Sequence, residues 1–289
     1  MIRMDIIFSS PHAESADRAA YALSRGGFIS VTEYALPNQA LTDHIAALRS
    51  GSSDLLALPL DAAPPILPND LVIAALTDRT DPAFAVLIGP NFPTPARLSD
   101  LPRMAKIGTS CMLAQLQLRE IRPDWQAVPI HMPDELPNQG NWPWLDLDAI
   151  LCPLSVASRW LAHSPTSSVV RLNPAEFLPL PGSGTVAFLV LTQNLPLRRA
   201  LRASHHKDVA RCTNVERRLY QLAHEAGVPA FGAWCHADAN GLFHARAVVA
   251  NSLGELEFTT ASSVTATSLP DLLWQQLPHL AAPRGHNNQ

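Results

Sequence analysis

The sequence predicts an α/β protein of more than one domain. Short runs rich in Val, Ile and Leu alternate with stretches in which apolar residues recur at helical spacing. That alternation is typical of sheets covered by helices. The chain has 289 residues, of which 47% are hydrophobic and 16% charged. This is more length than a single core usually organises, so we expect two or three globular domains.

The opening residues predict a βαβαβ unit. In the first predicted helix, Ala19 and Leu23 share one face, as an amphipathic helix on a sheet requires. Two further apolar runs are expected to continue the same sheet. The predicted strands and helices are 4–8 (strand), 15–25 (helix), 43–49 (helix), 55–58, 72–76 and 83–88 (strands).

A proline-rich segment, 90–103, predicts an interdomain connection, because proline interrupts regular structure. A second α/β unit follows it. Prolines and glycines at 179–184 mark another crossover, after which a helix, two strands and a late helix are predicted. The elements are strands 106–108 and 148–152, helix 112–120, helix 216–224, strands 231–234 and 242–249, and helix 269–280.

Charge and cysteine content exclude several classes of protein. The formal net charge of −4 gives no general attraction to nucleic acid or to anionic lipid. Apolar runs such as 185–191 are too short to cross a bilayer. The four cysteines lie far apart, and no basic leader opens the chain. We therefore expect a cytoplasmic protein with reduced thiols at Cys111, Cys152, Cys212 and Cys235.

General catalytic motifs are missing from the sequence. Gly182-Ser183-Gly184 lacks the third glycine of a dinucleotide fingerprint and predicts a tight turn. No GxSxG, P-loop or HExxH motif occurs. His205 and His206 are adjacent, so their side chains diverge and cannot easily share a metal ion. No metal site is predicted.

One segment carries a family resemblance. Residues 106–118, KIGTSCMLAQLQL, followed by Arg122-Pro123-Asp124, resemble the GTSSLRRQAQL…RPD signature of porphobilinogen deaminase, also called hydroxymethylbilane synthase. Other blocks occur in the family's order and extend the similarity over almost the whole chain. These blocks are Phe8-Ser9-Ser10-Pro11, Leu67-Pro68 through Asp81-Pro82, 178–184, Glu216-Arg217 and Val228-Pro229.

The resemblance implies two periplasmic-binding-protein-like α/β domains around a cleft, plus a small C-terminal α+β domain. The domains are expected at 1–93 with 182–200, at 97–178 and at 203–289. We also expect a monomer whose partner is a small molecule in the cleft, and the charge balance and short apolar runs predict no nucleic acid or membrane partner.

In this family a cysteine carries a dipyrromethane cofactor through a thioether bond. Alignment on Val228-Pro229 puts Ala226 at that position, and alignment from Glu216-Arg217 puts Gly227 there. Cys212 and Cys235 are not placed to substitute. The resemblance, with this departure, predicts that the protein has no cofactor.

The family's catalytic aspartate lies in a K-D-V-P element. Here the element reads Asp61-Ala62-Ala63-Pro64, so Ala62 occupies the aspartate position, and Leu67-Pro68 supports that register. A slip of one residue would make Asp61 the catalytic carboxylate. Both registers stay open.

The family's cleft arginines, which bind the carboxylates of the oligopyrrole, are also replaced. The resemblance puts Phe8, Leu113 and Ala114 at three of their positions, and others fall near His131 and at Pro137 or Asn138. What it retains as candidate binding residues is Ser10, Thr109, Ser110, Gln115 and Ser183. Thr109 and Ser110 also suit the start of a helix.

These departures predict a porphobilinogen-deaminase-like protein of tetrapyrrole biosynthesis that has lost synthase chemistry and serves as a non-catalytic binding or regulatory paralogue. A divergent but active hydroxymethylbilane synthase is the alternative. A second alternative is a binding module whose cleft takes a less anionic molecule, lined by Phe8, Leu58, Leu113 and Trp142. Whether the protein is an enzyme is left open.

Overall fold

A computed structural model describes residues 3–8, 13–25, 30–35, 41–89, 91–92, 97–131, 146–163 and 168–277. The elements in chain order are β1 (Arg3–Phe8), α1 (Ala13–Arg25), β2 (Ser30–Ala35), α2 (Leu41–Ser50), β3 (Leu55–Pro59), β4 (Leu71–Leu76), β5 (Phe84–Ile88), β6 (Lys106–Thr109), α3 (Met112–Ile121), β7 (Gln126–Pro129), β8 (Ala149–Pro153), α4 (Leu154–His163), β9 (Ser168–Arg171), β10 (Val186–Leu191), α5 (Leu195–Ala200), α6 (Lys207–Glu225), β11 (Phe231–Ala237), β12 (Phe243–Ala250), β13 (Leu256–Ser263) and α7 (Leu269–Trp274).

The first sheet has the strand order β2-β1-β3-β10-β4. β1 pairs in parallel with β2 and β3, and β10 pairs antiparallel with β3 and β4. Its strands β3 and β10 are buried along almost their whole length, as is typical of strands with both faces covered. One core joins Ile6 of β1, Leu23 of α1, Leu55 of β3 and Phe188 of β10. The late strand β10 thus lies beside strands from the opening of the chain.

The second sheet has the strand order β7-β6-β8-β5-β9. Residues 84–88 were expected in the first sheet, but β5 pairs antiparallel with β8 and β9 instead. All five residues of β5 are buried, and a strand buried on both faces has no alternation to indicate which sheet it joins. α3 packs on this sheet through Ala114 and Leu118. The rings of Phe177 and Phe84 pack edge to face, with their centroids 5.4 Å apart.

The third sheet is an antiparallel meander, β11-β12-β13. α6 covers it with Val215, Leu219 and Ala223, which recur every four residues along one face. Glu216, also buried, accepts a hydrogen bond from the backbone N–H of Cys235 at 2.8 Å. The sheets and their covering helices confirm the predicted class of two α/β domains and a C-terminal α+β domain.

The chain divides into two compact units. The first contains the described residues within 1–82 and 182–210, and the second contains those within 83–132, 137–181 and 211–289. In the part of the chain that the structure describes, no helix is long and apolar enough to span a bilayer.

Candidate functional site

A glycine turn positions one of the predicted binding residues. Gly182 and Gly184 have φ values of +85° and +83°, which confirms the turn predicted from the sequence. A Cβ atom at Gly182 would lie 2.6 Å from Cγ of Leu60, and one at Gly184 would lie 2.6 Å from the backbone oxygen of Thr80. Only glycine fits both the dihedral angles and the space. The turn therefore holds Ser183 close to the residues that follow β3 and β4.

Ser183 contacts the aspartate whose role the sequence left open. Asp61 lies in the 3₁₀ turn Leu60–Ala62, directly after β3. The hydroxyl of Ser183 donates to Oδ2 of Asp61 at 2.9 Å. Ser183 is buried and Asp61 half-buried. Two candidates that are 122 residues apart in sequence thus form one side-chain pair.

Burial raises the pKa of the Asp61 carboxyl, and the hydrogen bond from Ser183 opposes that shift. Backbone N–H groups of the same turn and the positive charge of Arg79 oppose it further. Arg79 also donates from Nε to the backbone oxygen of Ser183 at 3.0 Å. The result is a carboxyl group that can accept an N–H donor or hold a proton, with a cation beside it.

Arg18 of α1 stabilises the glycine turn and the residues after β4 through hydrogen bonds. Its guanidinium donates to the backbone oxygen of Gly184 at 3.2 Å and to Oγ1 of Thr77 at 3.2 Å. It also donates to the backbone oxygen of Asp78 at 2.6 Å. Sequence reasoning missed Arg18 and Arg79, because nothing in the local pattern distinguishes them from ordinary surface arginines.

The residues aligned with the family's catalytic aspartate and two of its arginines do not belong to the Asp61–Ser183 pair. Ala62 is exposed, one residue beyond the half-buried Asp61. Leu113 is 2% exposed and Ala114 is completely buried. Ala114 packs in the core of the second sheet, and Leu113 packs with Val248. Leu58, expected to line a cleft, is also buried in a core.

The retained candidates in the second unit lie around the start of α3. Thr109 is buried, and its Oγ1 accepts a hydrogen bond from the N–H of Cys111 at 3.3 Å. Ser110 is exposed and Gln115 half-buried. Cys111 is the residue that precedes the first helical turn, and its side chain makes no capping hydrogen bond. Neither Thr109 nor Ser110 is the N-cap residue of α3, because Cys111 takes that position.

Several expected residues lie outside the described part of the chain. These are Ser10, Pro137, Asn138, Trp142 and the side chain of Phe8, whose backbone belongs to β1. His131 is described and exposed.

The two residues that follow α6 are the positions aligned with the family's cofactor-bearing cysteine. Ala226 is half-buried, and Gly227 has a φ of +70°. The N–H of Gly227 donates to the oxygen of His224, and the N–H of Val228 donates to that of Ala223. This is the left-handed glycine ending common to helices. The conformation of residues 226–228 is therefore that of an ordinary helix C-terminus.

The cysteines differ in exposure. Cys152, Cys212 and Cys235 are buried, and burial raises the pKa of the Cys152 thiol to about 12. Cys111 is half-buried. Within the described ranges, no group of three or more His, Cys, Asp or Glu side chains is placed to share a metal ion.

A family model described as "Porphobilinogen deaminase, dipyromethane cofactor binding domain" matches residues 41–199. The expectation that no cofactor is involved is therefore wrong, because the matching domain is the one that binds dipyrromethane. Among the described residues of that range, Asp61 fits such a group, since a carboxylate accepts pyrrole N–H donors. Arg79 fits its carboxylate substituents. Positions 226 and 227 are alanine and glycine, and neither has a sulfur atom.

The chain is also similar to curated porphobilinogen deaminases. The chain is 29% identical over 179 residues to the porphobilinogen deaminase of Geobacter sp. strain M21, covering 60% of this chain and 52% of that protein. It is 28% identical over 187 residues to that of Xylella fastidiosa strain M23, covering 64% and 57%. It is 30% identical over 214 residues to that of Natranaerobius thermophilus, covering 72% and 65%. The matches thus span less than two thirds of each relative.

Two solved structures align with part of the chain. One is a nutrient binding protein from Burkholderia cenocepacia bound to methionine, with a TM-score of 0.44, 14% identity, and coverage of 72% of this chain and 93% of that one. The other is the second substrate binding domain of a putative amino acid ABC transporter from Streptococcus pneumoniae, with a TM-score of 0.44, 12% identity, and coverage of 70% and 91%.

The family model covers more than half of the 289 residues. Its range includes the Asp61–Ser183 pair and the signature segment at the start of α3. The chain therefore belongs to the porphobilinogen deaminase family.

Proposed function

We propose that this protein acts in tetrapyrrole biosynthesis as a pyrrole-binding member of its family that does not itself polymerise porphobilinogen. The observation that carries the proposal is the burial of Leu113 and Ala114. They occupy positions at which the resemblance implies carboxylate-binding arginines, and here both contribute to apolar cores. Polymerisation requires those cations, whereas binding of a pyrrole ring requires only an acceptor for its N–H group.

The binding element of the proposal is Asp61. A carboxylate offers about four acceptor sites, and the hydroxyl of Ser183 uses one of them. A pyrrole N–H would donate to the carboxylate, and Arg79 would attract an acetate or propionate substituent. The raised pKa of Asp61 lets a cationic ligand restore the charged form of the carboxyl, since an opposite charge favours ionisation.

Loss of turnover follows from the number of replaced groups. Removal of one positioned electrostatic group commonly lowers a rate about a hundred- to a thousandfold. Ala62, Leu113 and Ala114 represent three such replacements, and their combined effect leaves no measurable synthesis. Within the same proposal the protein is a cytoplasmic monomer with a small-molecule ligand and neither a nucleic acid nor a membrane as partner.

A second candidate function is a divergent, active synthase that uses Asp61 as its catalytic carboxylate. Its support is the pairing of Asp61 with Ser183 and the raised pKa of Asp61, since perturbed carboxyls are frequent at catalytic sites. The two candidates differ only in whether bound porphobilinogen is converted to product.

One experiment separates the two candidates. Calorimetric titration of the full chain with porphobilinogen measures binding, and the porphyrin absorbance that develops from the product after acid treatment measures synthesis. We expect saturable binding, no product, and an affinity about tenfold lower for Asp61→Asn. Asp43→Asn, an equal charge change at an exposed residue of α2, should leave the affinity unchanged.

Each outcome decides between the candidates. Binding that Asp61→Asn does not weaken, or no binding at all, overturns the proposal. Product that disappears in Asp61→Asn but persists in Asp43→Asn establishes the active synthase instead.

A further inference from the structure

A hydrogen-bonded chain of three side chains lies on the third sheet, in the second unit. Asp238 directly follows β11, His244 belongs to β12 and Ser262 belongs to β13. Nε2 of His244 is 3.4 Å from Oδ2 of Asp238. Nδ1 of the same ring is 2.8 Å from Oγ of Ser262. A carboxylate, an imidazole and a hydroxyl in this order are the groups that activate a serine as a nucleophile.

The sheet fixes the positions of these three groups. His244 and Ser262 are directly opposite each other in the antiparallel pairing of β12 with β13. Side chains of such a pair leave the same face of the sheet, with their Cβ atoms about 5 Å apart. Asp238 lies in the hairpin between β11 and β12, where its N–H donates to the oxygen of Leu242 at 2.9 Å. Groups held on strands and a tight hairpin keep a constant mutual geometry.

Backbone N–H groups hold the carboxylate of Asp238 in place. Its Oδ1 accepts those of Asn240 at 2.8 Å and Leu242 at 2.9 Å. The hydrogen bond from Leu242 is the main cause that lowers the pKa of Asp238, and the one from His244 lowers it further. Oδ2 is therefore an ionised acceptor, which puts the proton of the neutral His244 ring on Nε2. The lone pair of Nδ1 is left to accept the hydroxyl proton of Ser262.

Neighbouring rings support the imidazole, and the serine lies at the surface. The ring of His236 stacks on that of His244, with their centroids 5.2 Å apart. The ring of Trp234 stacks in turn on that of His236, with centroids 4.3 Å apart. Ser262 is exposed, whereas Asp238 and His244 are half-buried. The serine is therefore open to small molecules, while the base beside it is held by packing.

We propose that the Asp238–His244–Ser262 chain is a second reactive site, at which Ser262 is acylated by small aryl esters and the acyl group is then hydrolysed. Oγ of Ser262 bonds to the carbonyl carbon while its proton moves to Nδ1 of His244. The bond from that carbon to the aryloxide breaks with its electron pair, and the aryloxide takes the proton from Nδ1. Water then attacks the acyl carbon and gives a proton to Nδ1. Oγ of Ser262 leaves with that proton as the carboxylic acid is released.

The class of ester follows from what the chain of residues supplies. An aryloxide leaves readily, so acyl transfer from an aryl ester depends chiefly on activation of the nucleophile. His244 supplies that activation, and the carboxylate of Asp238, 3.4 Å from Nε2, stabilises the imidazolium that forms in each step. The site does not include Asp61, so it is independent of pyrrole binding.

The test follows release of nitrophenolate by absorbance when the full chain is mixed with p-nitrophenyl acetate. In parallel, a fluorophosphonate labels activated serines, and peptide mass mapping locates the adduct. We expect ester hydrolysis and one adduct, on Ser262. Ser262→Ala and His244→Gln should each lower the protein-dependent rate at least about a hundredfold, as loss of general-base catalysis does. The matched controls Ser252→Ala and His206→Gln, at exposed residues elsewhere, should leave it unchanged.

Asp238→Asn tests the third member of the chain. An amide that donates to Nε2 moves the ring proton to Nδ1, so the rate should fall about a hundredfold or more. Thermal melts verify that each variant is folded.

The outcomes separate this site from others in the protein. An adduct that maps elsewhere, or hydrolysis that persists in Ser262→Ala, overturns the proposal. Equal losses in His244→Gln and His206→Gln overturn the role of His244 as the base. Asp61→Asn should leave ester hydrolysis intact, which distinguishes this result from the pyrrole-binding test.

Discussion

Gln117 of α3 pairs with both backbone groups of Leu178. Its Nε2 donates to the oxygen of Leu178 at 2.9 Å, and its Oε1 accepts the N–H of Leu178 at 2.8 Å. Both residues are buried. The pair fixes the backbone of Leu178 against α3 within the second unit.

Gln117→Met should therefore lower the free energy of unfolding by about 2–3 kcal/mol, because it leaves two buried backbone groups of Leu178 unpaired. Urea denaturation measures the change. Gln126→Met, at an exposed residue of β7, is the control and should change stability little. Equal effects of the two variants would show that the Gln117 bonds contribute nothing.

The raised pKa of Asp61 predicts a particular pH dependence. Above pH 3.8, the ordinary pKa of an aspartate side chain, the folded protein retains a proton that the unfolded chain has lost. Stability therefore falls as pH rises from about 4 through the folded pKa. Asp61→Asn cannot titrate, so it should gain stability relative to the parent protein over that interval. Denaturant titrations at several pH values provide the comparison.

Asp70 is a control of opposite sign. The hydrogen bond from Arg49, at 2.7 Å, lowers the pKa of its carboxyl. That stabilisation is present above pH 3.8 and is lost as pH falls through the lower folded pKa. Asp70→Asn should thus differ from the parent at neutral pH and converge with it in acid. Parallel pH profiles for the Asp61 and Asp70 variants would contradict both assignments.

Restoring the family's arginines should damage the fold. Leu113→Arg and Ala114→Arg each put a cation into an apolar core, and each should lower the free energy of unfolding by about 3 kcal/mol or more. Met112→Arg, on the same helix at a side chain 51% exposed, should change it by less than about 0.5 kcal/mol. Circular dichroism melts of the three variants check this. If Leu113→Arg melts like Met112→Arg, the position faces solvent and the structural reason for lost synthesis fails.

The glycine turn predicts a difference between two glycines of similar φ. Gly184→Ala combines a left-handed backbone with a Cβ 2.6 Å from the oxygen of Thr80. We expect a loss of about 3 kcal/mol or more for it, since the clash adds to the backbone strain. Gly241→Ala, with φ +79° and no atom within 4 Å of the Cβ, should cost only about 1 kcal/mol. Equal losses, measured by urea denaturation, would mean that the turn can move away from Thr80.

The sequence by itself determined the class of fold and most of the central elements. Helical spacing predicted α1 and α3 closely, and the glycines at 182 and 184 predicted their turn. It also indicated the family, because the segment at 106–118 and the other similar blocks occur in the order that the family has. It missed β2, β13 and the first nine residues of α6, in which polar residues break up the apolar pattern of the sequence.

Tertiary structure alone decided which sheet β5 joins, that Asp61 meets Ser183, and that Leu113 and Ala114 lie in cores. The physical reason is one of range. Periodicity records how one segment divides its faces between core and water. The Asp61–Ser183 pair spans 122 residues and depends on where the chain returns to the first sheet, which no local pattern encodes.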